Sequence, residues 1–345
     1  MSTVREAHRR CAVGFVGCGG HSTSTLYPSF RLIPELELVA VCDIQEHLAR
    51  RNARLFGATS WYTDFEAMLA AEELDAIFIV GDPSMHETLG LEAFRRGYHV
   101  FTEKPTSLTT EGARRLADAH LASGKVGMCG HMMRHSPSIV LAQRVMASPD
   151  FGPINFVESK YFTPGPNECI WGLDSADWSY MLCQAIHPVD LARHLGGEIA
   201  SVSATRCGPA RQVYVAALQF ESGAAGLLNL NGSAPNWETR LEATGDAFAC
   251  VTVENFTHLR YETLAPWPAD FGSDLTQISS RNWQVPTRDN SEVRPGYAEE
   301  MRHFARAVLE GVPAYPTFED EYRNYLVCEA ILRSCSEGRA VTPGA

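Results

Sequence analysis

The stretch CAVGFVGCGGHS, residues 11–22, decides the fold. CAVGFVG (11–17) is a short run of small and apolar residues with no polar alternate. That is the pattern of a strand buried on both faces. Gly17, Gly19 and Ser22 then fill the places of G-x-G-x-x-G, with serine in the last. Working outward, four more apolar runs follow: LELVAVCD (36–43), LDAIFIV (74–80), YHVFTE (98–103) and KVGMCGH (125–131). Between them lie IQEHLARRNARLFG (44–57), HETLGLEAFRRG (86–97) and TEGARRLADAHLASG (110–124). Each has helical spacing and ends on a glycine suited to a helix C-cap. Strands buried on both faces, alternating with amphipathic helices, imply a doubly wound parallel sheet of the α/β class.

The second half reads differently. INFVESKYF (154–162), IASVSATRC (199–207), QVYVAALQF (212–220), AAGLLNLNG (224–232), TRLEATG (239–245) and AFACVTVEN (247–255) are strands with few helices between them. The short links ESG and GD are hairpin signals. An open, mostly antiparallel sheet in an α+β domain is the expectation. A helix near 184–195 precedes most of it, and helices near 297–310 and 319–337 close the chain. The boundary is placed near residue 133. That gives a nucleotide-binding domain over 1–133 and a substrate-binding and oligomerisation domain over 134–345, whose last helices could pack back on the first.

The 345 residues suit two domains, and 45% hydrophobic with 20% charged residues is ordinary for a globular protein. A net charge of −12 argues against nucleic acid or an anionic membrane as partner. No run is long enough for a membrane span, and MSTVREAHRR (1–10) lacks a signal-peptide core, reading as a disordered tail. The ten cysteines contain no C-x-x-C pair. Reduced, mostly buried thiols in a cytoplasmic protein are expected, with Cys11, Cys18, Cys42 and Cys129 in or beside strands. No metal site is expected.

The glycines carry a chemical implication. Gly17 permits the tight turn, and Gly19 lets backbone approach a pyrophosphate. A helix opening near Ser22 or Ser24 would aim its free N–H groups at that anion. Asp43, at the end of the second run, would accept hydrogen bonds from an adenosine ribose and repel a 2′-phosphate. Ile44 and Gln45 follow, with no arginine directly after the acid, so NAD is preferred to NADP. Asp43 could equally cap the next helix.

Ligands of such sheets bind outside the strand C-termini. Three of these junctions carry unusual residues: VGDPSMHE (80–87), TEKPTS (102–107) and GHMMRHSP (130–137). Lys104 can donate to a carbonyl or alkoxide oxygen, or pair with Glu103 ahead of a proline turn. As a base its pKa would have to fall from about 10.4 toward about 7–8, roughly 3–5 kcal/mol of differential interaction.

At this point the chain resembles the glucose–fructose oxidoreductase, inositol dehydrogenase and rhizopine-catabolism (Gfo/Idh/MocA) family. The resemblance covers nearly the whole chain. It rests on GFVGCGG, VAVCD, DPSMHE, TEKP, GHMMRHSP, QAIHPVDLARHLGG and the closing GYAEEMRHFARAVLEG and PTFEDEYRNYLVCEAILRSCSEG. It implies a Rossmann domain followed by a substrate domain, and NAD-dependent hydride transfer at a secondary alcohol or ketone of a sugar, cyclitol or related polyol.

The resemblance also implies the site. Lys104 and His187 would be catalytic. Gly17, Cys18, Gly19, Gly20, His21, Ser22, Asp43, Val80, Gly81, Asp82, Pro83, His86, Glu103, Lys104, Pro105 and Arg134 would line the cofactor. Tyr161, Trp171, Cys183, His187 and Asp190, with Lys104, would meet substrate, although His187 and Trp171 also suit core packing. Asp190, at i+3 from His187, could orient the imidazole or anchor the helix. His194, one turn on, completes a superficially metal-like trio, but the family uses no metal. Many relatives carry Asp or Asn where this chain has Cys183, so the proton-transfer role could move to His187, Tyr161 or Tyr180. Two other readings stay open: redox-neutral NAD-assisted lyase or glycosidase chemistry, and a non-catalytic nucleotide sensor. Open sheets in this family commonly pack against a second copy, which implies a homodimer or homotetramer.

Overall fold

The computed structural model describes residues 9–208, 211–266, 276–286 and 295–345. Most of the tail expected over 1–10 therefore lies outside the described residues. The chain divides into two compact units: Met1–Met132 with Ser291–Tyr322, and Met133–Asn290 with Arg323–Ala345.

In the first unit β1 (Cys11–Val16) leads through a π-turn (Ser22–Leu26) into the short α1 (Tyr27–Phe30). There follow β2 (Leu36–Cys42), α2 (Glu46–Phe56), β3 (Ser60–Tyr62), α3 (Phe65–Ala71), β4 (Ala76–Ile79), α4 (Pro83–Arg95), β5 (His99–Glu103), α5 (Thr110–Ser123) and β6 (Gly127–Gly130). The strands form one sheet in the order β3-β2-β1-β4-β5-β6, and every pair in it is parallel. The order reverses beside β1, which is where a doubly wound sheet opens a crevice at its strand C-termini.

Alternation along these strands feeds two cores. Val13, Phe15 and Phe78 join one cluster, and Val16, Ile77 and Ile79 the other. Phe15, Phe78 and Phe101 sit opposite one another in register, with ring centroids 5.9 and 4.7 Å apart. The C-terminal helix over Tyr297–Glu310 completes that core. It delivers Met301, Phe304 and Ala305, and Phe304 meets Phe78 edge-on at 5.1 Å.

The second unit holds α6 (Pro137–Met146), β7 (Ile154–Phe162), α7 (Ala176–Tyr180), α8 (Ile186–Gly196), β8 (Ile199–Arg206), β9 (Val213–Phe220), β10 (Ala225–Asn231), β11 (Glu238–Gly245), β12 (Ala249–Glu254), β13 (His258–Pro266) and β14 (Thr276–Gln284). The helix over Tyr297–Glu310 is α9, and α10 is Phe318–Glu337. The sheet order is β14-β13-β12-β11-β7-β10-β9-β8, and only β7·β10 is parallel among the described pairs. Val157, Ser159 and Tyr161 of β7 point to the buried face, and α8 packs on that strand. The strands β13 and β14 extend the sheet beyond the six expected. Their charged residues and the turn before them, where Asn255 and Phe256 both take positive φ, hide the strand pattern.

All ten cysteines are free. Cys11, Cys18, Cys42, Cys129 and Cys328 are buried, while Cys169 and Cys207 are exposed. Among the described residues no helix is long and apolar enough to cross a membrane.

Candidate active site

The glycine loop is shaped by close backbone packing. Gly17 has φ 101°, and a Cβ there would stand 1.9 Å from the Val80 carbonyl oxygen. Its N–H donates to Cys42 O at 2.8 Å, so the turn is tied to two neighbouring strands. A Cβ on Gly19 or Gly20 would meet nothing within 4 Å. The loop is thus closed beneath Gly17 and open above the next two glycines, which suits approach of a diphosphate to bare backbone. The helix expected from Ser22 opens as the π-turn. Ser22 is buried, and the Thr23 N–H donates to Gly19 O at 3.0 Å.

Asp43 stands beside this loop. Its Oδ2 accepts the Cys18 N–H and its Oδ1 the Gln45 N–H, both at 2.8 Å. The carboxylate therefore braces the glycine loop as well as facing the β2 terminus. Burial, with smaller contributions from neighbours, raises the Cys18 thiol to about 11, so it is inert as a nucleophile.

His86 has a different employment from the cofactor contact expected of it. It is 1% exposed. Its Nε2 accepts the Gly81 N–H at 2.9 Å, and its Nδ1 lies 2.8 Å from Pro105 O. The first bond requires a lone pair on Nε2, which leaves the proton on Nδ1 to be donated to Pro105. Burial lowers its pKa, against a smaller upward pull from the Pro105 carbonyl. A neutral imidazole thus ties the turn after β4 to the turn after β5. Asp82 caps α4 by accepting the Ser84 N–H, and Pro83 takes the first helical position.

The turn after β5 carries Glu103, Lys104 and Pro105, with a cis Lys104–Pro105 peptide. Glu103 is 5% exposed and accepts the Lys104 N–H at 3.1 Å. His21 of the glycine loop brings Nε2 to 3.6 Å from its Oε1. Burial pushes the Glu103 carboxyl up, but His21, Lys104 and His86 together outweigh it and hold the pKa below the usual range. Tyr297 of α9 stands edge-on to His21 at 5.7 Å, and burial raises its hydroxyl pKa. The first unit therefore gathers loop, ribose acid and Lys104 turn at one end of its sheet.

Cys129, His131 and Glu321 bring a thiol, an imidazole and a carboxylate within 4.8 Å of one another, all buried. His131 Nε2 and Glu321 Oε2 are 2.6 Å apart, a hydrogen-bonded pair. No ligand spacing announces this trio, because Glu321 is distant in sequence.

In the second unit the structure corrects two expectations. Arg134 was expected at the cofactor and Asp190 at the substrate. Instead Arg134 Nε and Nη2 donate to the two Asp190 oxygens at 2.8 and 2.5 Å. Asn324 Nδ2 also donates to Asp190, at 2.9 Å, and Asp190 is wholly buried. The bidentate pair anchors α8. His187, one turn earlier on the same helix, is 4% exposed, with the Tyr161 ring centroid 6.1 Å from its own. The Tyr161 hydroxyl donates to Gln184 Oε1 at 3.2 Å, and Gln184 Nε2 reaches Cys183 Sγ at 3.6 Å. Cys183 and Gln184 lie in a π-turn over Met181–Ala185, a distortion frequent at functional sites. Trp171 is held at φ 55°, a conformation costing roughly 1–2 kcal/mol for a residue with a Cβ.

Trp237 and Gln184 were not singled out from the sequence. Thr239 pairs with Tyr161, so Trp237, two residues earlier, falls on the same face. It is 54% exposed and meets Tyr161 edge-on at 5.6 Å. An exposed aromatic at the edge of a buried face is the one cue that could have found it, and only the strand register supplies that cue.

Known proteins show the same organisation. Residues 11–131 match the model of an oxidoreductase family with an NAD-binding Rossmann fold, and residues 139–248 match the GFO/IDH/MocA C-terminal domain. The chain belongs to the Gfo/Idh/MocA oxidoreductase family. Within it, scyllo-inositol 2-dehydrogenase (NAD(+)) of Bacillus subtilis strain 168 is 26% identical, across 97% of this chain and 96% of that protein. D-apiose dehydrogenase of Paraburkholderia graminis is 24% identical, across 99% and 92%. A dehydrogenase structure from Chromobacterium violaceum superposes with a TM-score of 0.88 at 26% identity, covering 96% of each chain. The open space over Gly19 and Gly20 and the brace at Asp43 fit the NAD of this family.

Proposed function

We propose that this family member is an NAD-dependent dehydrogenase of a secondary alcohol on a sugar, cyclitol or related polyol. The observation that carries the reading is Lys104. It follows a buried acid at the end of β5, in the same unit as a glycine loop open for a diphosphate. Relatives named as inositol and apiose dehydrogenases support the substrate class.

Bound NAD supplies the hydride acceptor. The chain does the rest. Gly17, Cys18, Gly19 and Gly20 present backbone to the diphosphate, and Asp43 takes the adenosine ribose. His86 fixes the two turns that flank the nicotinamide end. The Lys104 ammonium donates to the reacting oxygen and stabilises it as an alkoxide forms. His187 takes the proton in oxidation and returns it in reduction. Cys183 cannot act as the carboxylate of relatives, so the neighbouring amide of Gln184, oriented by Tyr161, holds a substrate hydroxyl. The exposed face of Trp237 and the strained Trp171 close the substrate region.

The chain's acidic charge and free thiols support a cytoplasmic setting without nucleic-acid or membrane partners. The sheet face opposite α8 carries Val215 at 38% exposure and supports a homodimer or homotetramer, to be read by light scattering.

The test is a panel of polyols with NAD⁺, followed by NADH formation, using wild type and Lys104→Ala. Net NADH is expected with at least one polyol. The variant should lose at least ~10-fold in turnover, since positioned acid–base groups contribute about 10²–10⁴-fold. Turnover without net NADH would shift the reading to redox-neutral chemistry, and unchanged turnover would remove Lys104 from it.

A further inference from the structure

An arginine does reach the adenosine side of the glycine loop, from a place its position in sequence does not announce. Arg51 lies on α2, the helix that follows Asp43, and is exposed. Its Nη2 donates to Cys18 O at 3.3 Å and to Thr23 Oγ1 at 3.1 Å. Its Nε donates to Asn52 Oδ1 at 3.2 Å. Asn52 is wholly buried and donates to Thr23 Oγ1 at 2.9 Å, so the acceptors that orient the guanidinium are themselves fixed.

All three acceptors are neutral, and among the described residues Arg51 has no carboxylate partner. Arg50, next to it, places its charge on Glu46 at 3.3 Å. Arg51 thus holds an uncompensated cation against the loop in a chain of net charge −12. Arg51 and Asp43 grip the carbonyl and the amide of one residue, Cys18. The Asp43 charge is dispersed into two backbone N–H groups, whereas that of Arg51 is not. A planar, pre-oriented guanidinium with spare donors is suited to a phosphate monoester.

We infer that Arg51 recognises a 2′-phosphate on the adenosine ribose, so that the site accepts NADP(H) beside NAD(H). This rests on the dinucleotide reading above. Asp43 favours the free ribose, and Arg51 offsets the repulsion that Asp43 would exert on a phosphate there.

The experiment titrates 5′-ADP and 2′,5′-ADP into the full chain by calorimetry, with no turnover involved. Wild type is expected to bind 2′,5′-ADP no more than about tenfold more weakly than 5′-ADP, with the steeper salt dependence that an added ionic contact gives. In Arg51→Ala the ratio of the two dissociation constants should shift at least tenfold against 2′,5′-ADP. Arg51→Lys should shift it less, and Arg50→Ala should leave it where it was. Proportional weakening of both ligands in Arg51→Ala would make Arg51 a loop brace and overturn the inference. So would 5′-ADP binding with no detectable 2′,5′-ADP binding in wild type. Failure of both ligands and of NADH to bind wild type would instead overturn the dinucleotide reading itself. Thermal melts of each variant separate these outcomes from misfolding.

Discussion

His86 shows how a site residue can work without touching substrate. Both of its ring nitrogens are committed to backbone, which requires the neutral form. Its folded pKa is lowered by burial, while the unfolded value is near 6.5. Between those values the unfolded chain binds the extra proton, so stability is full above about pH 6.5 and declines as pH falls below it. His99, His120 and His303 are lowered by burial too and add to the slope. His86→Gln keeps one acceptor and one donor but removes one titration. The melting temperature of the variant, followed from pH 7.5 to about pH 5, should therefore fall less steeply than that of wild type. Parallel curves would show that His86 is not neutral in the folded chain. Lys104 and His86 were both legible as strand-end residues; their roles were not, because the Gly81 and Pro105 partners are set by the turn geometry.

At the scale of elements, α8 is held by one ion pair. Arg134 and Asp190 are both almost fully buried, so their desolvation is offset only while both are present. Asp190→Ala should cost about 3–5 kcal/mol in urea unfolding, because it leaves a buried guanidinium uncompensated. Adding Arg134→Met should recover part of that loss. A double variant no more stable than the single one would mean the pair is not what anchors the helix. The strand β3 is only three residues long and β13 carries alternating charge, so neither has the apolar pattern by which the other strands are read. The helix of His187 was legible from its spacing. Its π-turn, which sets Cys183 and Gln184, was not.

For the whole molecule, chain order and core membership differ. Residues 291–322 fall with the first unit, and α9 places Met301, Phe304 and Ala305 in a cluster with Phe15 and Phe78. Without them the aromatic ladder of β1, β4 and β5 loses its edge-on partner. Deleting one buried phenylalanine side chain already costs about 3–5 kcal/mol, a large part of a domain's stability. A fragment of residues 1–132 is therefore expected to lack a cooperative thermal transition by circular dichroism. A sharp melt near that of the full chain would show that the parallel sheet is self-sufficient.

Periodicity and glycine spacing by themselves determined the doubly wound sheet, its loop and the strand-end lysine, because these depend on local patterns that repeat every two or four residues. The pairings Arg134–Asp190, His131–Glu321, Tyr161–Gln184 and Arg51–Cys18 were decided only by tertiary structure. Their members are distant along the chain, and a hydrogen bond depends on separation in space, which no local pattern encodes.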